Sequence, residues 1–191
     1  MVKKVAILSS GSGSNAQALI THFTSQENIE VVFVGSNRAS AGVLEKAHHS
    51  GVHHGHFTKE DLHDGTVLNI LEKLEVDWVL LAGFLLMIPV EFCNRYQGRI
   101  LNIHPSLLPK YGGKGMFGIR IHEAVFQAGE KESGMTIHYV NELYDDGAVV
   151  FQGRVKIDDV TNAQEIADKV LKLEHEYYPR ISSELITLVN K

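Results

Sequence analysis

The sequence contains a single cysteine, Cys93, among 191 residues. It can build neither an internal disulfide nor a multi-cysteine zinc site, and a reducing cytoplasm is its natural compartment. Basic residues are in deficit: 18 Lys and Arg face 23 Asp and Glu, a formal net charge of -5. Such a chain has no general attraction for nucleic acid or an anionic membrane, so anionic small ligands need a local site. Long hydrophobic runs are missing too. The longest, Trp78 to Val90, is broken by Gly83 and is too short to span a bilayer. Lys3 and Lys4 precede only the short piece Val5 to Leu8, which predicts no secretory signal. No repeat, low-complexity segment or linker interrupts the chain. What is present, 44% hydrophobic and 21% charged residues, is the composition of a globular protein. The length suits one domain with two closely joined halves, about 1–98 and 99–191.

Taken in order, Val5 to Leu8 reads as a parallel strand buried on both faces. The loop Ser9 to Asn15 follows, and Ala16 begins a helix. Strand, glycine loop and helix N-terminus together make an anion site that a phosphate would fit. The alternative is a helix merely capped by Ser14 or Asn15. The loop also fits the dinucleotide fingerprint with Gly11, Gly13 and Ala16, but the next strand, Val31 to Gly35, ends in Ser36-Asn37-Arg38. It has no acid for a ribose hydroxyl, and only Arg38 keeps an NADP-binding alternative open. A helix from Ala41 to His49, a short strand from Val52 to Phe57, and a helix opened by a Thr58 to Asp61 capping box and continued by Val67, Ile70, Leu71 and Leu74 come next. The histidines between His48 and His56 are either metal ligands or solvated loop residues. After a strand from Asp77 to Phe84, Leu85, Leu86, Met87 and Ile88 either line a pocket for a flat aromatic ligand or pack the core before a helix started by Pro89.

Leu101 to Pro109 is the stretch around which the rest is organised. Asn102 and His104 lie one residue apart on an extended backbone and so point the same way. Pro105 ends the strand, which holds His104 at a strand end where ligands reach. Both residues could instead satisfy a turn. The alternation of elements predicts an α/β fold with a doubly wound, mostly parallel sheet. The Lys110 to Gly115 stretch is a flexible loop without P-loop spacing. A helix from Ile119 to Ala128, a strand from Gly134 to Val140, an acidic turn from Asn141 to Gly147 and a strand from Ala148 to Ile157 follow. A carboxylate at Asp145 placed beside His104 would favour the imidazolium and orient the ring; the sequence leaves open whether it reaches. Thr161 to Gln164 reads as a capping box for a last helix, with Glu174 and His175 in its final turns.

Gly11-Ser12-Gly13-Ser14-Asn15, Leu81-Ala82-Gly83-Phe84, Leu101 to Tyr111, the Asp145 turn and Glu174-His175 with Tyr178-Pro179 resemble the phosphoribosylglycinamide formyltransferases over nearly the whole chain. The resemblance implies a Rossmann-like fold with an antiparallel element in the C-terminal half. It implies transfer of the formyl group of 10-formyltetrahydrofolate to the amino group of phosphoribosylglycinamide in purine biosynthesis. No metal, nucleic acid or membrane is implied, and the enzyme would be a cytoplasmic monomer or homodimer. By motif, Gly13, Ser14 and Asn15 take the ribonucleotide phosphate, with Pro105 and Glu174 near its other polar groups. The pterin lies against Leu85, Leu86, Met87, Ile88 and Asn102, and against the turn Asn141, Glu142, Leu143, Tyr144 and Asp145. Asn102, His104 and Asp145 match the catalytic trio. Leu86 stands where many relatives have arginine, Leu171 where a polar residue is frequent, and the Gly112 to Gly118 loop is longer than usual. The Asn102 to Pro109 block alone marks only formyltetrahydrofolate-using enzymes, so a formyltetrahydrofolate hydrolase is a further alternative.

Overall fold

Continuous apolar runs in the strands bury two faces of one sheet. The computed structural model describes residues 2–188. Its elements run β1 (Lys3–Leu8), α1 (Ser14–Thr24), β2 (Ile29–Ser36), α2 (Gly42–His49), β3 (His54–His56), α3 (Lys59–His63), α4 (Thr66–Lys73), β4 (Trp78–Leu81), α5 (Val90–Arg95), β5 (Ile100–His104), α6 (Ile119–Gln127), β6 (Glu132–Tyr139), β7 (Val149–Lys156) and α7 (Ala163–Leu188). The strand order is β3-β2-β1-β4-β5-β6-β7. The first five are parallel, whereas β6 and β7 join antiparallel. This is the doubly wound, mostly parallel sheet with an antiparallel C-terminal element that the sequence predicts.

Val5 and Ile7 of β1 and Trp78 and Leu80 of β4 pack with α1, α2 and α7 on one face. Ala6, Leu8, Val79 and Leu81 pack with α3, α4 and α5 on the other. Burial on both faces explains why these strands are apolar throughout. The chain reverses winding between β1 and β4, so the loops after β1, β4 and β5 open at one edge, where ligands of such sheets bind.

Several local expectations are corrected. The helix expected from Thr58 through Leu74 is two: Thr58 and Asp61 form the capping box, but Asp64 ends α3, and Gly65, at φ 88°, starts α4. The box expected over Thr161 to Gln164 shifts by one residue, since Asn162 Oδ1 accepts from Glu165 N at 3.1 Å and α7 starts at Ala163. α7 does not end near His175. It continues through Pro179 to Leu188, because Tyr178, Ser182, Ser183 and Ile186 keep a buried face beyond the proline. Burying that face outweighs the one hydrogen bond that a proline removes.

Candidate active site

The glycine loop starts as a knot between strand ends. Ser10 Oγ donates to Asn37 Oδ1 at 2.6 Å and accepts from Leu85 N at 2.9 Å, joining the loops after β1, β2 and β4. Gly13 is the N-cap of α1 at φ 78°, and no side chain caps this helix end. The capping role considered for Ser14 and Asn15 is therefore not taken up, and the helix N-terminus keeps donors for a ligand. A Cβ on Gly13 would lie 2.6 Å from Val43 Cβ and 2.7 Å from Val43 Cα, so glycine here also lets α2 approach α1.

At the next strand end, β5 delivers Asn102 and His104 to a cleft of about 640 Å³. Antiparallel register sets His138 of β6 opposite Asn102, and Thr136 opposite His104. Asn102 Nδ2 donates to His138 Nε2 at 3.1 Å, and His138 Nδ1 donates to the Tyr139 carbonyl at 2.9 Å. This pattern holds His138 neutral with its proton on Nδ1, and burial lowers its pKa. The buried Thr136 hydroxyl donates to the Ser106 carbonyl at 2.6 Å and accepts from Leu108 N at 3.0 Å. It thereby shapes the loop that follows His104.

His104 is 5% exposed. Its Nε2 donates to the Tyr111 carbonyl at 2.8 Å, and its Nδ1 faces Asp145 Oδ2 at 3.4 Å. Both ring nitrogens thus look at oxygen acceptors. Asp145 adopts φ 53° at the tip of its turn, and its carboxylate also accepts from Gly113 N at 2.9 Å and lies 3.7 Å from His138 Nε2. A left-handed backbone, which aspartate tolerates better than most residues, presents this carboxylate to two histidines.

Across the cleft, Asn15 Nδ2 donates to Glu174 Oε2 at 2.8 Å, while Asn15 Oδ1 is buried without a partner. Burial pushes the Glu174 carboxyl up to about 7, against the pull of the Asn15 hydrogen bond. His122 of α6 is held down to about 4, chiefly by burial and then by the neighbouring His104. It also lines the cleft, with Nδ1 unpartnered.

Among the residues singled out from sequence, Asn15, Leu85, Asn102, His104, Pro105, Tyr144, Asp145 and Glu174 line this one cleft. Gly13 and Ser14, at the N-terminus of α1 just before Asn15, are not among the residues that line it. Ile88 does not reach the cleft: it is 3% exposed, and with Leu86 it packs into the core beside α5. Met87 and Leu143 are exposed, and Asn141 Oδ1 caps its own turn by accepting from Leu143 N. Glu142 is exposed on the same turn, and Leu171 lines the cleft. The exposed histidines His48, His49, His53 and His56 belong to no group of three or more potential metal ligands among the described residues. His138, Thr136, His122 and Tyr111 escaped the sequence reading. For Thr136 and His138 the signal was available: two polar residues two apart, alternating with Met135 and Ile137, share one face of a strand.

The family described as "Formyl transferase" matches residues 3–181. The chain is 39% identical over 186 residues to a chloroplastic phosphoribosylglycinamide formyltransferase of Arabidopsis thaliana, covering 94% of this chain and 64% of that protein. It is 34% identical to the phosphoribosylglycinamide formyltransferase of Haemophilus influenzae, covering 94% and 85%. A crystal structure of phosphoribosylglycinamide formyltransferase from Brucella melitensis superposes with a TM-score of 0.88 at 36% identity, covering 97% and 96%. The chain spans less than two thirds of the length of the plant relatives.

Proposed function

Because this chain belongs to the formyl transferase family, we propose that it moves the formyl group of 10-formyltetrahydrofolate onto the amino group of phosphoribosylglycinamide, a step of purine biosynthesis. One observation carries the reading: Asn102, His104 and Asp145 converge from two separate stretches of chain on one cleft that Asn15 and Glu174 also line. The chain is not read as a dinucleotide binder, since β2 ends without an acid and the cleft carries groups suited to acyl transfer. No helix of the described residues is long and apolar enough to cross a membrane. We assign the activity to the cytoplasm and to a monomer or homodimer.

In this mechanism the neutral amine attacks the formyl carbon. A nitrogen–carbon bond forms, the carbonyl becomes an oxyanion, and the folate nitrogen leaves with the proton that the amine gives up. Asn102 has a second amide proton beyond the one donated to His138, and that proton serves the oxyanion. The His104 Nε2 proton rests on the neutral Tyr111 carbonyl. An oxyanion is the stronger acceptor and competes for it. Asp145 balances the imidazolium charge and passes the amine proton onward through water. Asn15 and Glu174 hold the ribonucleotide: Asn15 Oδ1 offers a bare acceptor to a substrate donor, and the glycine loop with the α1 N-terminus takes the phosphate.

The test is folate release from 10-formyltetrahydrofolate by purified protein, with and without phosphoribosylglycinamide. Release that depends on the ribonucleotide and yields the formylated ribonucleotide is the expected result. Equal release without it would mean a hydrolase, and no release would overturn both readings.

A further inference from the structure

With Asp145 facing His104, the cleft has little positive charge left for an anionic ligand. Of the described residues lining it, Asp145 and Glu174 are acids and Lys114 is the one lysine or arginine. The two substrates of the proposed reaction are both anions, a ribonucleotide phosphate and a folate bearing carboxylates. A helix N-terminus offers only about half a positive charge, which does not balance a phosphate, let alone a second anion in the same cleft. The whole molecule, at -5, gives no help.

Lys114 is positioned and available for that task. Lys110, nearby in sequence, is tied to Glu130 at 2.8 Å, and Arg120 lies over the Phe117 ring at 5.2 Å. Lys114 is exposed and takes part in no ion pair among the described residues. It lies between Gly113 and Gly115, at φ 92° and 91°, and neither position has an atom within 4 Å of where a Cβ would be. The strap is anchored beside it by Gly113 N donating to Asp145 Oδ2. The ammonium is therefore carried between two glycines with open space beside them, one residue from the backbone contact to Asp145.

We propose that Lys114 is the cationic contact for an anionic oxygen group of bound substrate, and so a determinant of substrate affinity in this cleft. The proposal rests on the formyl-transfer reading. The shared chemistry is a phosphate or carboxylate oxygen meeting an ammonium, and the two sources separate experimentally.

The experiment compares wild type with Lys114→Ala and Lys114→Arg. KM and kcat for both substrates are measured at about 0.05 and 0.3 M salt, and binding of each substrate alone is measured by calorimetry. For Lys114→Ala the expected result is a rise of about tenfold in KM and in Kd for one substrate, larger than the change in kcat. Lys114→Arg should recover most of it, and the wild-type salt dependence should be blunted in the alanine variant. If the affected substrate is phosphoribosylglycinamide, the group is the phosphate. If it is the folate, and a folate analogue without the glutamate tail binds both proteins alike, the group is a carboxylate. KM and Kd within twofold of wild type for both substrates would overturn the proposal. Wild-type protein that binds but does not turn over would overturn the formyl-transfer reading instead, and the binding measurements would still decide the role of Lys114. Because Lys114 is exposed, its truncation leaves the core intact.

Discussion

His104 has an acceptor at each ring nitrogen, one from the loop that follows it and one from a turn some forty residues on. Replacing His104 by Ala removes a hydrogen-bond donor from the proposed reacting centre. Replacing Asp145 by Asn removes the carboxylate charge beside the His104 ring while keeping an oxygen for Gly113 N. Each variant should stay folded by circular dichroism and lose on the order of 100-fold or more in turnover, the usual cost of one oxyanion-stabilising donor for His104 and of a positioned proton-transfer group for Asp145. Near-normal turnover in either purified variant would remove that residue from the mechanism. The sequence supplied both residue types and the strand-end position of His104, because Pro105 acts locally on the backbone. It could not supply the approach of Asp145 to His104, which depends on how the β6–β7 hairpin packs against β5 and on the turn that joins the two strands.

At the level of elements, two junctions hold the cleft open at the right place. Gly13 at φ 78° lets α1 and α2 meet, so Gly13→Ala meets both a left-handed backbone penalty and contact with Val43 at 2.6–2.7 Å. A loss of about 3 kcal/mol in denaturant-measured stability is expected. Adding Val43→Ala should restore little, because the Val43 Cα is itself in the way. Full recovery in the double variant would refute the backbone account. Tyr178 is the second junction: from α7 its buried hydroxyl reaches the carbonyls of Leu81 at 3.0 Å and Leu101 at 3.1 Å, on β4 and β5. Tyr178→Phe should cost about 1–3 kcal/mol, the penalty for leaving buried polar groups unpaired. A stability equal to wild type would show that those carbonyls are satisfied without it. Neither junction was legible from spacing alone, since each joins elements far apart in sequence.

For the whole molecule, two buried groups set opposing dependences of stability on pH. Glu174 has its carboxyl raised from 4.5 to about 7. The folded state therefore holds more protons than the unfolded one between those values, and stability falls as pH rises through them. His122 is lowered from 6.5 to about 4, so there the unfolded state holds more protons and stability falls as pH drops. Each is worth on the order of 3 kcal/mol across its window. Between pH 4.5 and 6.5 the two slopes offset each other. Glu174→Gln should make stability rise with pH in that interval, and His122→Asn should make it fall; parallel profiles in urea titrations would contradict both assignments. Before any folding, the sequence determined the elements that local sterics and periodicity dictate: the strands buried on both faces, the glycine loop before α1, and the strand end at His104. The tertiary structure decided what depends on distant partners. It kept α7 helical through Pro179 because the face beyond it is buried, and it sent Ile88 to the core instead of the cleft. It also paired His138 with Asn102 through strand register and brought Asn15 to Glu174. Local rules act over a few residues, whereas register, burial and the desolvation that shifts Glu174 and His122 exist only once the sheet and its covering helices are assembled.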